Sequence, residues 1–392
     1  MRSLQAPFVL VKISISILLI VSFLGLGCDN SAPTGAAEIT DFETQDKVKF
    51  RVETYVGGLE VPWGFAWLPN KNLLVTERPG RVRLVENGKL RPEPVYSVPD
   101  VEPSSESGLM DVSVHPSFAA NNFVYLAYSY AADGKRDKVV RYKYVDNKFT
   151  EPTVIIADMP AAPNHAGMRA RFGPDGKLYI TVGDSTDWEL AQKLDSLAGK
   201  TLRLNDDGTI PPDNPFIKTP GARPEIWSYG HRNAQGLAWQ PGSGLMFQTE
   251  HGPSSFEGKG SGGDEANIVE AGKNYGWPTI HHTQTRDGMV SPLLEYSPAC
   301  APGSAAFYNG SQLPDFKGNF FFGCLRSARI IRVKLNGRNV VSQENLFNGV
   351  YGRIREIGEG PDGFIYFSTS NRDGRGSPAK EDDRILRIVP SK

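Results

Sequence analysis

The chain is poor in the residues that usually announce a metal or thiol centre. It has three cysteines and six histidines in 392 residues, and no zinc-type ligand spacing; His281-His282 stands in a loop without ligand-type neighbours. No Gly-x-Gly-x-x-Gly opens a helix after a strand, which excludes a Rossmann nicotinamide site. No Gly-x-Ser-x-Gly elbow occurs, which removes the commonest serine-hydrolase arrangement. Charge of one sign is also missing: 43 Lys and Arg against 44 Asp and Glu give a net charge of −1. With no long basic block, nucleic acid is disfavoured as a partner. Long stretches of helical period are absent, and only WELAQKLDSLAG (188–199) reads as a short helix.

What is present begins with an address. Arg2 and Lys12 flank PFVLV, and ISISILLIVSFLGLG runs apolar up to Cys28. A basic start, a short apolar run and small residues before a cysteine read as a lipoprotein-type export signal over 1–28. Ile13–Gly27 is short for a spanning helix. Leu24 lies one position further from Cys28 than the usual signal has it, so plain export with a spare cysteine is the alternative. Residues 29–47 are small and polar and read as a linker, leaving 48–392 as one domain. This places the protein outside the cytoplasm, periplasmic or on the cell surface, touching membrane only through a lipid anchor. Cys300 and Cys324 either pair in that compartment or sit as two small buried side chains.

The domain repeats itself. Apolar residues, a proline, a turn and a β-rich strand recur at 64–78, 111–129, 170–184, 236–253, 313–327 and 356–371. The prolines are 69, 116, 174, 241, 314 and 361, so the period is irregular. Each unit surrounds Gly, Pro, Asn or Asp with Val, Ile, Leu, Phe and Tyr, which is hairpin chemistry. RVRLVEN (81–87), KVVRYKYV (138–145) and RIIRVKL (329–335) supply outer strands. Six such units predict an all-β, six-bladed β-propeller. KFRVETYV (49–56) is placed to complete the last blade beside DRILRIV (383–389).

The repeat orders the polar residues. His165 and Arg232 each stand nine residues before their unit's proline; Arg353, Arg355 and Glu106 stand eight, six and ten before theirs. Asp184, Glu250-His251-Gly252-Pro253 and Arg326 follow the next strands. All should meet at one mouth of the central channel. Converging arginines suit a planar polyanion, since each guanidinium can fork a carboxylate; singly, each could be a surface bridge. His165 can take a proton from a hydroxyl if a partner fixes its tautomer, and Asp184 is placed to do so. The adjacent backbone carbonyls of Glu250-His251-Gly252-Pro253, followed by Gly263-Asp264-Glu265, suit Ca²⁺ or form a plain turn with solvated acids.

Here the sequence resembles a known family. PWGFAWLP, SGLMDVSVHPSF, HAGMRARFGPDGKLYITVGD, GHRNAQGLAW, EHGP, GDEANIVEAGKNYGWP and GRIRE look like the soluble pyrroloquinoline-quinone (PQQ)-dependent aldose dehydrogenases of the glucose/sorbosone type, over roughly residues 50–390. The resemblance implies PQQ in the channel with Ca²⁺ on it. It also implies an aldose oxidised at C1 to a lactone, and an external electron acceptor. It makes His165 the general base and Asp184 its orienting partner, with Arg232, Asn233, Arg353 and Arg355 on the cofactor. Gly252 and Pro253 match carbonyl ligands of the cofactor's Ca²⁺; Glu265 and Tyr275 match a second, structural calcium site. Three positions depart from the family: Glu106 stands where glutamine is usual, Asn164 where an acid is frequent, and Arg326 where lysine is expected. Two other readings compete: a non-catalytic propeller binding carbohydrate or protein, and a hydrolase or lactonase using channel Ca²⁺.

Overall fold

The computed structural model describes residues 40–391, so the export signal and most of the linker lie outside the described residues. Six antiparallel sheets follow one another around a ring. Their innermost strands are Pro62–Trp67, Leu109–Val114, Gly167–Phe172, Ala234–Trp239, Pro302–Phe307 and Ile354–Glu359. Each packs against the next, and the sixth returns to the first. This is the expected six-bladed β-propeller.

Burial explains the strand sequences. The second strands Leu73–Glu77, Leu178–Val182, Met246–Glu250, Phe320–Cys324 and Ile365–Thr369 are buried along their whole length between neighbouring blades. Most therefore read as short apolar runs rather than alternating ones, whereas Met246–Glu250 ends in the buried polar residues Gln248, Thr249 and Glu250. The outer strand Asn339–Leu346 is mostly exposed and correspondingly polar.

The ring closes as the sequence suggested. Lys49–Val56 pairs antiparallel with Ile385–Pro390 inside the sixth blade. Three details differ. Thr40–Glu43, counted with the linker, forms a further edge strand on Lys49–Val56; Phe42 packs against Phe347 at 4.6 Å and Phe50 at 5.7 Å, one aromatic anchor in a polar stretch. The fifth unit starts earlier than its proline implied. Its inner strand is Pro302–Phe307, and Pro314 opens a 3₁₀ turn (Pro314–Phe316) in the connection. The helix expected over 188–199 is a single 3₁₀ stretch, Trp188–Gln192. Cys300 and Cys324 are buried thiols within one apolar cluster.

Candidate active site

Nine of the residues singled out from the sequence line one cavity of about 340 Å³: Glu106, His165, Arg232, Asn233, Gly252, Pro253, Arg326, Arg353 and Arg355. Most come from the loops before innermost strands and after second strands, as the repeat offsets required, while Arg355 stands inside the innermost strand Ile354–Glu359. Two more residues named from the sequence, His251 and Asp264, join them, together with Arg375.

His165 sits just before Gly167–Phe172 with φ +56°, a left-handed conformation uncommon for histidine. The backbone is pressed there: a β-carbon at Gly183 would stand 1.7 Å from the His165 carbonyl oxygen, so only glycine fits. That closeness brings His165 Nδ1 to 2.7 Å from Asp184 Oδ1. The other oxygen, Oδ2, accepts from Trp277 Nε1 at 2.8 Å. Arg232 Nη2 lies 2.8 Å from His165 Nε2. A guanidinium can only donate, so Nε2 carries the lone pair and the proton sits on Nδ1, toward Asp184. Asp184 itself is fully buried behind the cavity wall.

Arg232 is held from behind by Glu257, Nε to Oε1 at 3.0 Å and Nη2 to Oε2 at 2.8 Å. Glu257 belongs to a capping box with Ser254 at the short 3₁₀ turn Ser255–Glu257. His165, Asp184 and Glu257 bring ligand atoms within 4.8 Å of one another, but the Arg232 guanidinium hydrogen-bonds two of the three and supplies the positive charge there.

The remaining arginines divide into two kinds. Arg353 pairs with Asp373 (Nε to Oδ2, 2.8 Å), and Arg375 with Glu106 (2.6 Å). Among the described residues Arg355 has no ion pair: it bonds the amide oxygen of Gln235 and lies over the Trp63 ring at 5.3 Å, and its Nε is buried without a hydrogen-bond partner. Burial lowers its pKa, though not enough to discharge it at neutral pH. Among the described residues the Arg326 side chain meets no carboxylate. The wall therefore keeps a surplus of cations.

Glu106 remains a carboxylate. Burial alone would raise it, but the charges of His251, Arg375 and His165 bring it down to about 2. Burial pushes His251 down to about 4, so at neutral pH the lasting cation beside Glu106 is Arg375. Glu106 also accepts the His165 backbone N–H at 3.1 Å. Asn164, the other departure, accepts from Arg375 at 2.8 Å.

Glu265 and Tyr275 do not line the cavity. Burial and the carboxylates of Glu250, Asp264 and Glu295 push Glu265 well up, since like charges crowd there. The Tyr275 hydroxyl is already spent on Ile268 O at 2.6 Å and Glu270 N at 2.9 Å. At the Gly252-Pro253 turn a β-carbon on Gly252 would strike the carbonyls of Gly262 and Gly263 at 2.3 and 2.2 Å.

Sequence reasoning did not single out Glu257, Trp277, Asp373 or Arg375. They sit on insertions with no fixed offset from the repeat. Only Glu257 carried a readable signal, the Ser-x-x-Glu spacing from Ser254.

Known proteins are similar along most of the chain. The glucose/sorbosone dehydrogenase family model matches residues 59–386. Aldose sugar dehydrogenase YliI of Escherichia coli strain K12 is 37% identical over 343 residues, 82% of this chain and 91% of that protein. A glucose dehydrogenase-type oxidoreductase from Thermus thermophilus superposes with a TM-score of 0.81 at 42% identity, covering 87% of this chain and all of that one. The PQQ-bound aldose sugar dehydrogenase of Streptomyces coelicolor gives 0.76 at 31% identity, covering 90% and 99%. The chain belongs to the glucose/sorbosone dehydrogenase family, as a sugar dehydrogenase of the PQQ type.

Proposed function

We propose that the protein oxidises the C1 hydroxyl of aldose sugars to the lactone at this cavity. The observation that carries the reading is a histidine with a fixed tautomer, His165 on Asp184, beside cations left without carboxylates. Arg326 and Arg355, with Arg353 and Asn233, fit a planar tricarboxylate such as PQQ, whose carboxylates would meet the unpaired guanidinium at Arg355. The Gly252 and Pro253 carbonyls are hard oxygen donors suited to its Ca²⁺. When bound, the quinone supplies the hydride acceptor.

The chain's own part is proton handling and orientation. His165 Nε2 takes the proton from the C1 hydroxyl, which requires Arg232 to yield the hydrogen bond it now makes there. Asp184 then faces the imidazolium it has oriented, and Trp277 keeps the carboxylate in place. Glu257 holds Arg232 close enough to return. An external acceptor must reoxidise the cofactor.

Reconstitution with Ca²⁺ and PQQ, followed by dye reduction with a panel of aldoses, tests the reading. Sugar-dependent turnover with lactone as product supports it; quinone binding without turnover on any aldose overturns it in favour of a binding propeller. We further propose export with lipid attachment at Cys28, to be checked by mass spectrometry of the mature amino terminus.

A further inference from the structure

Two imidazoles line the cavity, and their hydrogen-bonding states are opposite. His165 is saturated: Nδ1 meets Asp184 and Nε2 accepts from Arg232. His251 Nε2 lies 3.0 Å from the carbonyl oxygen of Pro302, which can only accept, so that nitrogen carries the proton. Its Nδ1 is then a lone pair, and among the described residues no donor reaches it.

The rest of the wall gives that lone pair its meaning. The acceptors there are nearly all spent. Asp264 receives the Gly252 N–H at 2.7 Å and those of Cys300 and Ala301 at 2.6 Å each. Glu106 receives Arg375, the His165 N–H and, at 3.4 Å, Asn233 Nδ2. Ser254 Oγ receives Arg232. A ligand with acidic groups is well provided for, while an N–H or O–H on it meets few open acceptors. His251 Nδ1 is the open ring nitrogen. Its backbone is fixed, since the His251 N–H donates to Asn233 O at 3.1 Å and its carbonyl accepts from Arg232 at 3.3 Å. The ring is anchored separately, on the first residue of the fifth blade's inner strand.

We infer that His251 is a ligand-contacting residue, its Nδ1 accepting a hydrogen bond from an N–H or O–H of the quinone or of the aldose beside it. The inference rests on the quinone reading above. A filled cavity excludes water, so an unmatched acceptor at this point would weaken binding.

Nitrogen-15 histidine spectra of the full chain test it. The free protein should show His251 as the Nε2–H tautomer. The Nδ1 resonance should move upfield on adding PQQ with Ca²⁺ if the quinone is the donor, or only on the later addition of aldose if the sugar is. A His251 signal unmoved by both additions, while quinone absorbance and the His165 signals report binding, overturns the inference and leaves the quinone reading intact. Unchanged quinone absorbance and unmoved His165 signals would instead remove both. Variants give a second check. His251→Leu should weaken binding of the responding ligand about tenfold, the scale of one buried donor left without its acceptor. His251→Asn, which keeps an acceptor near the Nδ1 position, should recover most of it. Equal losses in both variants would also overturn the inference.

Discussion

The central channel concentrates arginine at two levels and treats it in opposite ways. At the waist, Arg169 and Arg171 share Asp111 and Glu356: Arg169 Nη1 reaches Asp111 Oδ1 at 2.9 Å and also bonds Glu356, while Arg171 bonds Asp111 and lies 3.5 Å from Glu356. Two cations meet two acids, and Ser304 donates to Glu356 as well. At the mouth, three arginines have acids and two, Arg326 and Arg355, meet none among the described residues. Buried arginine is common to both levels, so arginine alone does not mark a ligand site. The mark is a buried cation without an acid, Arg355, beside the exposed and equally unpaired Arg326, a pair that an incoming anion would match. A third solution lies on the second blade, where Asp137 is fully buried, bonded by Ser129 at its Oδ1 and unpartnered at its Oδ2; burial raises it to about 7, so at neutral pH the neutral acid is about as populated as the carboxylate.

This contrast can be broken at each point. The largest effect is expected from His165→Ala: turnover should fall by about 10²–10⁴-fold, the usual worth of a positioned base, with quinone affinity nearly unchanged. Single-turnover bleaching of the bound cofactor checks it. At the waist, Glu356→Ala leaves the buried Arg169 and the half-buried Arg171 short of a partner and should destabilise the fold by about 3–5 kcal/mol. Urea denaturation of the ligand-free protein measures that loss. At the mouth the same kind of deletion should behave differently. Arg355→Met should weaken PQQ by about 10- to 150-fold, the equivalent of 1.5–3 kcal/mol for a charged hydrogen bond, while leaving ligand-free stability unchanged or improved. A stability loss there as large as at the waist would erase the distinction. The smallest effect concerns Asp137. Its folded pKa is raised, so the native state binds the extra proton; its contribution is full below the unfolded value near 4 and is lost as pH rises through about 7. Asp137→Asn should flatten that part of the stability–pH curve, which thermal melts between pH 5 and 8 would show.

Much of this was legible in the chain. Two-sided burial makes most second strands short apolar runs, and the turn after each inner strand needs proline or glycine, so six hairpins could be counted. Because strand ends set the offsets, His165, Asp184, Arg232, Arg353 and Arg355 could be gathered at one mouth before any coordinates. The fifth blade was misjudged because 308–319 intervene between its first two strands, which moved Pro314 into a connection. Pairing was the less readable part. Whether an arginine has an acid depends on loops of irregular length: Asp373 and Arg375 lie in a turn of the sixth blade, and Glu257 lies in an insertion of the fourth. The left-handed backbone at His165 also had no sequence signal except Gly183, whose purpose emerges only once the carbonyl opposite it is located.

The seam of the ring has an engineering consequence. Because Lys49–Val56 is hydrogen-bonded beside Ile385–Pro390, and Ser391 Oγ reaches Asp41 Oδ1 at 3.3 Å, the two ends of the described chain already lie side by side. A short peptide graft across that gap would make the backbone a continuous loop, free to be reopened at an exposed turn such as 219–221. A molecule permuted in this way would carry its tether on the third blade, and the orientation of the cavity toward an electrode or a membrane surface could be chosen by where the backbone is cut.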